Sequence, residues 1–156
     1  MTNLEIIIMV NSGVLDITNH ELPASSAYKV VKFRTALQKS FENIQELEKA
    51  LLKDNGIEDI QKFNEDLKKL NGLDNPSEDE LKERNELIAK SESYNKARSE
   101  MLKDEAKLEG VKTISYEDWH TLRKENRPKK DNDKDPLNNY IETILENILW
   151  KAPEEE

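Results

Sequence analysis

Residues 23–56 read PASSAYKVVKFRTALQKSFENIQELEKALLKDNG, and this stretch decides the fold. Val30, Leu37, Ile44 and Leu51 recur every seven residues, with Phe33 and Leu47 at the intermediate position. Ser40 is the weak member of that intermediate series, and Phe41 stands beside it. Side chains spaced alternately by three and four residues share one helix face, so the pattern predicts a coiled-coil-like apolar stripe of about four heptads. Pro23 suits the first turn of such a helix, and Asn55-Gly56 suits its end.

A stripe needs a cover, and a second long helix supplies one. Ser77 and Glu80 form a capping-box pair directly after the turn Asp74-Asn75-Pro76. Leu87, Tyr94, Met101 and Leu108 then follow at heptad spacing up to Gly110, widened by Leu81, Ile88, Ala97 and Leu102. Between the two, Ile57, Ile60, Phe63, Leu67 and Leu70 predict a short amphipathic connecting helix ended by Asn71-Gly72. The expected fold is therefore all-α: an antiparallel helical hairpin, roughly Pro23–Asn55 against Ser77–Gly110, joined by a compact connector.

The flanks are shorter. Leu4–Ile17 carries Ile6, Ile7, Ile8, Met9 and Val10, a strand-favouring run. A lone strand would have no partner in a helical chain, so a helix broken near Asn11–Gly13 is expected. Val111–Ile114 reads as an extended link, and Ser115 with Asp118 as a helix start whose inner face is Trp119 and Leu122. Residues 123–135 read as a charged mobile loop. Asp135-Pro136 predicts the start of a last helix bearing Leu137, Tyr140, Ile141, Ile144, Leu145, Ile148 and Leu149, which should pack on the hairpin or on a second subunit. Residues 151–156 are expected to be a disordered tail of this single helical domain.

Composition agrees with narrow stripes. Charged residues make up 37% of the 156 and the hydrophobic class only 35%. Such a balance permits disorder as well, but the periodic apolar residues argue for folding. The net charge of −9 and a pI of about 4.9 argue against general nucleic-acid binding. They suit a basic protein partner or simple solubility. Cysteine is absent, which removes disulfides, thiolate metal sites and a cysteine nucleophile, and suits a reducing compartment. The longest apolar run, Ile6–Val10, is too short to span a membrane and follows no basic segment. The cytoplasm is the expected location.

No motif reaches the threshold for chemistry, and no catalytic, cofactor or metal residue is assigned. Asp131, Asn132, Asp133, Asp135 and Glu142 resemble the oxygen spacing of an EF-hand loop, but Pro136 stands where that loop needs glycine. Glu83 with Glu86, and Glu42 with Glu46, have the helical spacing of magnesium-binding carboxylates in all-α pyrophosphatases. In a chain of 33 acidic residues such steps also arise as solvated faces. His20 and His120 lack visible partners for metal or proton transfer. The basic cluster Arg123, Lys124, Arg127, Lys129 and Lys130 lies beside Trp119 and could touch a phosphate backbone, although a charged loop is the simpler reading. Trp119 and Trp150 are expected as core anchors.

The stretch Glu21-Leu22-Pro23-Ala24-Ser25-Ser26-Ala27-Tyr28-Lys29-Val30, running on to Glu46-Leu47, Leu51 and Asn55-Gly56, resembles the opening of a family of small uncharacterised phage and prophage proteins. There a Leu-Pro turn precedes a Tyr/Lys-containing helix and a highly charged second helix. The resemblance covers about the first third of the chain and implies a helical, phage-encoded accessory or assembly protein. Its place would be the host cytoplasm or the virion. The expected function is non-enzymatic interaction through helix faces, with a protein partner or a second copy of the chain. The apolar stripe that would carry it is Val30, Phe33, Leu37, Ile44, Leu47 and Leu51, facing Leu87, Tyr94, Met101 and Leu108, with Ile141, Ile144 and Ile148 on the last helix. Two other readings stand beside it: an acidic decoy of a basic host protein, and a magnesium-dependent nucleotide pyrophosphatase.

Overall fold

The computed structural model describes residues 1–150; the tail expected at 151–156 lies outside them. The chain is all-helical, with helices α1 (Asn3–Asn11), α2 (Ala24–Asp54), α3 (Ile60–Asn71), α4 (Glu78–Lys103), α5 (Tyr116–Glu125) and α6 (Asn139–Leu145). Among the described residues no strand occurs; the only extended pairings are single bridges, Thr2 to Glu105 and Ile114 to Trp150. The residues cluster into two compact units. Unit 1 comprises residues 1–43 with those from Asp104 onward, and unit 2 comprises Ile44–Lys103. Helix α2 contributes to both.

In unit 1, α1 forms despite its β-branched run because Thr2 and Glu5 make a reciprocal capping box. Gly13, at φ 91°, takes the left-handed turn that ends this segment, a conformation other residues reach only at a cost. The first part of α2 buries Val30, Phe33 and Leu37, and Ile6, Met9, Val14 and Ile17 come from the N-terminal segment. Trp119 and Leu122 of α5, with Leu137, Ile141, Leu145 and Leu149, complete this core. Ser115 caps α5 by accepting the Asp118 N–H.

Unit 2 is the antiparallel hairpin. Glu48 of α2 pairs with Arg98 of α4 at 2.7 Å, and eight residues further along the chain, just past the end of α2, the Lys90 side chain lies against Gly56. α3, capped by Asp59, packs along α4. α4 opens on the Ser77–Glu80 capping box expected from the sequence.

Four expectations are corrected. α4 ends at Lys103, not at Gly110, because the N-terminal segment captures the chain beyond it: the Asn3 N–H donates to the Asp104 carbonyl and the Ala106 N–H to that of Met1. Backbone groups bonded there cannot extend the helical ladder, so Leu108 stands outside the helix. Val30, Phe33 and Leu37 accordingly belong to unit 1, and the part of α2 that shares unit 2 with α4 begins at Ile44. α5 runs through Arg123 to Glu125, so the charged loop is shorter than 123–135. Asp135-Pro136 does not open the last helix. Asn138 does, accepting the N–H groups of Tyr140 and Ile141, while Asp135 accepts that of Leu137. Ile144 then lies half-buried on α6, and Ile148 falls in the turn beyond it.

Leu47 is the fourth. It is 48% exposed, while Ile44 is 2% exposed and the inner position after it is taken by Glu48, paired with Arg98. A straight helix turns once per 3.6 residues and drifts about 20° per heptad, so a strict seven-residue stripe leaves the contact line. Among the buried and half-buried positions of α2, Val30, Phe33, Leu37, Phe41, Ile44, Glu48 and Leu51 form a line that continues to Asn55 just past its end and advances nearer to 3.6 than to 3.5 residues per turn.

Candidate functional site

Two surfaces stand out from the core. The first is the face of unit 2. Ile57, Phe63, Met101 and Ile44 are its only buried hydrophobic side chains. Leu51, Leu67, Leu70, Leu81, Leu87, Ile88 and Tyr94 remain half-buried, and Leu47, Ile60 and Leu73 are exposed. An open cavity of about 320 Å³ lies between α3 and α4 beside Phe63, Tyr94 and Arg98. A helical unit of this length with so little fully buried apolar surface is under-covered.

The second surface lies on the unit 1 part of α2. No acidic residue occurs between Glu21 and Glu42, whereas Lys29, Lys32, Arg34 and Lys39 all do. Lys29 donates to the Thr113 carbonyl, and Lys32 stands over the Tyr28 ring. Arg34 and Lys39 make no ion pair among the described residues, and the Arg34 Nε is buried without a hydrogen-bond partner. Both line an open groove of about 460 Å³ with Leu15, Val31, Gln38 and Glu42.

The remaining sequence candidates are structural. The Trp119 and Trp150 rings stack at 5.4 Å, and Tyr116 lies 5.7 Å from Trp150 and 4.3 Å edge-on from His120. Trp119 is fully buried and its Nε1–H donates to Glu142 at 3.2 Å, so it anchors the core and offers no stacking platform. Arg123 of the basic cluster forms an ion pair with Glu142 and donates to Asn139, which removes it from the solvent-facing set. Lys124, Arg127, Lys129 and Lys130 stay exposed. Both oxygens of Glu142 are thereby engaged by protein groups, and Asp135 accepts the Leu137 N–H, so two residues of the EF-hand-like set are already in use.

Glu42, Glu46, Glu83 and Glu86 face water. Among the described residues no three His, Cys, Asp or Glu side chains converge as a metal site. His20 belongs to a turn clamped by α5: the His20 and Glu21 N–H groups donate to the Glu125 carboxylate at 2.8 and 3.2 Å, and Asn126 bonds Thr18. Burial of Glu125 disfavours its charge. The hydrogen bonds from His20, Glu21 and Thr18, with the charge of His20, outweigh this and hold its carboxyl below the ordinary value.

Along α4, acids and bases interleave: Glu78, Asp79, Glu80, Lys82, Glu83, Arg84, Glu86, Lys90. Sequence reasoning missed the α2 groove. Its signal was the acid-free run before Glu42, while the unpaired state of Arg34 is visible only in three dimensions.

No family model, no curated protein and no solved structure matches this chain. No helix among the described residues is long and apolar enough to cross a membrane.

Proposed function

We propose that the chain is a non-enzymatic helical interaction protein whose unit 2 self-associates through its half-covered apolar faces. The observation that carries this reading is Leu47. It has the residue type and spacing of a core position, stands 48% exposed, and lies on a hairpin that buries few other apolar side chains. Covering such side chains contributes about 25 cal/mol per Å² removed from water, a gain that a second copy can supply. The resemblance of residues 21–56 to small phage proteins adds the context, an accessory or assembly role in the cytoplasm of an infected host. Lys82, Arg84 and Lys90 stand among the carboxylates of α4, and the decoy reading has no specific support.

Sedimentation velocity of the full chain tests this. A dimer that dissociates on dilution is expected, together with a shift towards monomer in Leu47→Glu at every concentration. A monomer throughout, indifferent to Leu47→Glu, would overturn the proposal.

A further inference from the structure

We propose that the groove of unit 1 between α2 and Leu15 docks an acidic amphipathic segment of a partner protein. An aliphatic side chain of that segment sits on Leu15 and Val31, and a carboxylate is gripped by Arg34. This site is separate from the unit 2 faces and does not depend on their role.

The case begins with the unsatisfied donor. Buried N–H groups are nearly always hydrogen-bonded, yet the Arg34 Nε is not. The chain holds 33 acidic residues against 24 basic ones, and none of the acidic residues described reaches Arg34 or Lys39 in an ion pair. The Nε itself is closed to a ligand, but no hydrogen bond or ion pair among the described residues engages the Arg34 Nη groups, and Arg34 lines the groove, so its guanidinium can take a carboxylate end-on through both Nη donors. Its surroundings choose among anions. Val31 is 47% exposed and lies three residues before Arg34, about 4.5 Å along the helix axis. Leu15 lines the same groove. A ligand that fits therefore carries an aliphatic group and a carboxylate at neighbouring positions, as an amphipathic peptide does.

Two further features fix polarity. The Thr35 hydroxyl donates to the Val31 carbonyl and so is already engaged. Glu42, which accepts from Gln38 at 2.7 Å, closes the far end with negative charge. A carboxylate-bearing segment is thus drawn to Arg34 and Lys39 and repelled beyond them. A polynucleotide meets the same Glu42 and an apolar floor, which together oppose a continuous phosphate backbone but leave room for a single carboxylate.

The test is a random-peptide display library panned against the immobilised full-length protein. Enriched peptides should carry Asp or Glu within one helical turn of Leu, Ile, Val or Phe. A synthetic representative should bind at least about tenfold more weakly to Arg34→Glu, and measurably more weakly to Arg34→Lys, which keeps the charge but loses the fork. Lys39→Glu, at an exposed position, gives a second reading should Arg34→Glu lose helical circular dichroism. Peptides without acidic enrichment, or binding indifferent to both glutamate variants, would overturn the proposal. So would displacement of the peptide by a single-stranded DNA oligonucleotide. Sedimentation of Arg34→Glu is read alongside: loss of self-association there would assign the groove to a second copy of the chain and overturn the partner assignment.

Discussion

Ile44→Ala and Leu47→Ala remove equally many carbons from the same helix, less than one turn apart, and a strict heptad reading makes both of them core deletions. The structure separates them, at 2% and 48% exposure. Deleting the branch of a buried isoleucine forfeits about 0.8 kcal/mol per CH₂, or about 2.4 kcal/mol, and the cavity left behind brings the cost to about 3–4 kcal/mol. At Leu47 about half of that transfer term applies and water fills the space, so the cost is about 1 kcal/mol. The expected gap is about 2 kcal/mol, or roughly 4–8 °C in Tm for a chain of this size. Urea denaturation of dilute protein checks it, provided the probe sees unit 2. Trp119 and Trp150 both belong to unit 1, so fluorescence follows the wrong unit, whereas far-UV circular dichroism follows the helices of both. Equal losses at the two positions would refute the straight-helix reading of α2. The cost of Leu47→Ala should also grow with protein concentration, since association that covers the side chain links it to stability.

Glu142 accepts both the buried Trp119 indole N–H and the Arg123 guanidinium, and the Arg123 and Glu142 side chains are 26% and 24% exposed. Glu142→Ala leaves two donors unpartnered and should cost about 2–3 kcal/mol, more than Arg123→Ala, with a changed near-ultraviolet tryptophan spectrum; an Arg123→Ala loss of equal size would contradict this. Glu125 is held below its ordinary carboxyl value in the folded state, so its contribution is complete above about pH 4.5 and fades as pH falls through the folded-state value. Glu125→Gln should therefore lower stability at neutral pH and flatten the acid limb of the stability curve, and an unchanged acid limb would remove the Glu125 clamp from the account.

Local signals were legible in the sequence because they act within a few residues. The Ser77–Glu80 capping box, the Ser115–Asp118 cap and the break at Gly13 each depend on near neighbours and stand where the spacing placed them. What the sequence concealed was set by distant partners. α4 ends at Lys103 because Met1 and Asn3 bond the chain just beyond it, and no local pattern around Leu108 reports that. By spacing alone Asp135-Pro136 reads as the start of α6, but Asp135 accepts the Leu137 N–H and Asn138, three residues on, caps the helix. The drift of a straight helix moved Leu47 outward and brought Glu48 inward, a difference too small to read from spacing alone. In the groove, the acid-free run was visible in the sequence, while the missing partner of Arg34 was not.

The residues of α2 divide according to the unit they serve, and the division bears on function. Up to Asn43 its inner positions are Val30, Phe33 and Leu37, all fully buried in a core that also holds Trp119, Leu122 and Ile141. From Ile44 onward the inner line passes through Glu48 and Asn55, with Leu51 half-covered. Packing density of the first kind fixes a structure, and a half-covered stripe leaves apolar area still to be removed from water. Regions with few buried apolar contacts open at lower free energy than cores. Unit 2 is therefore the part whose stability a second copy can raise most. Unit 1 can hold its α2 groove in a fixed geometry, as a cation that grips a carboxylate requires, because the helix segment that carries it is anchored by the fully buried Val30, Phe33 and Leu37.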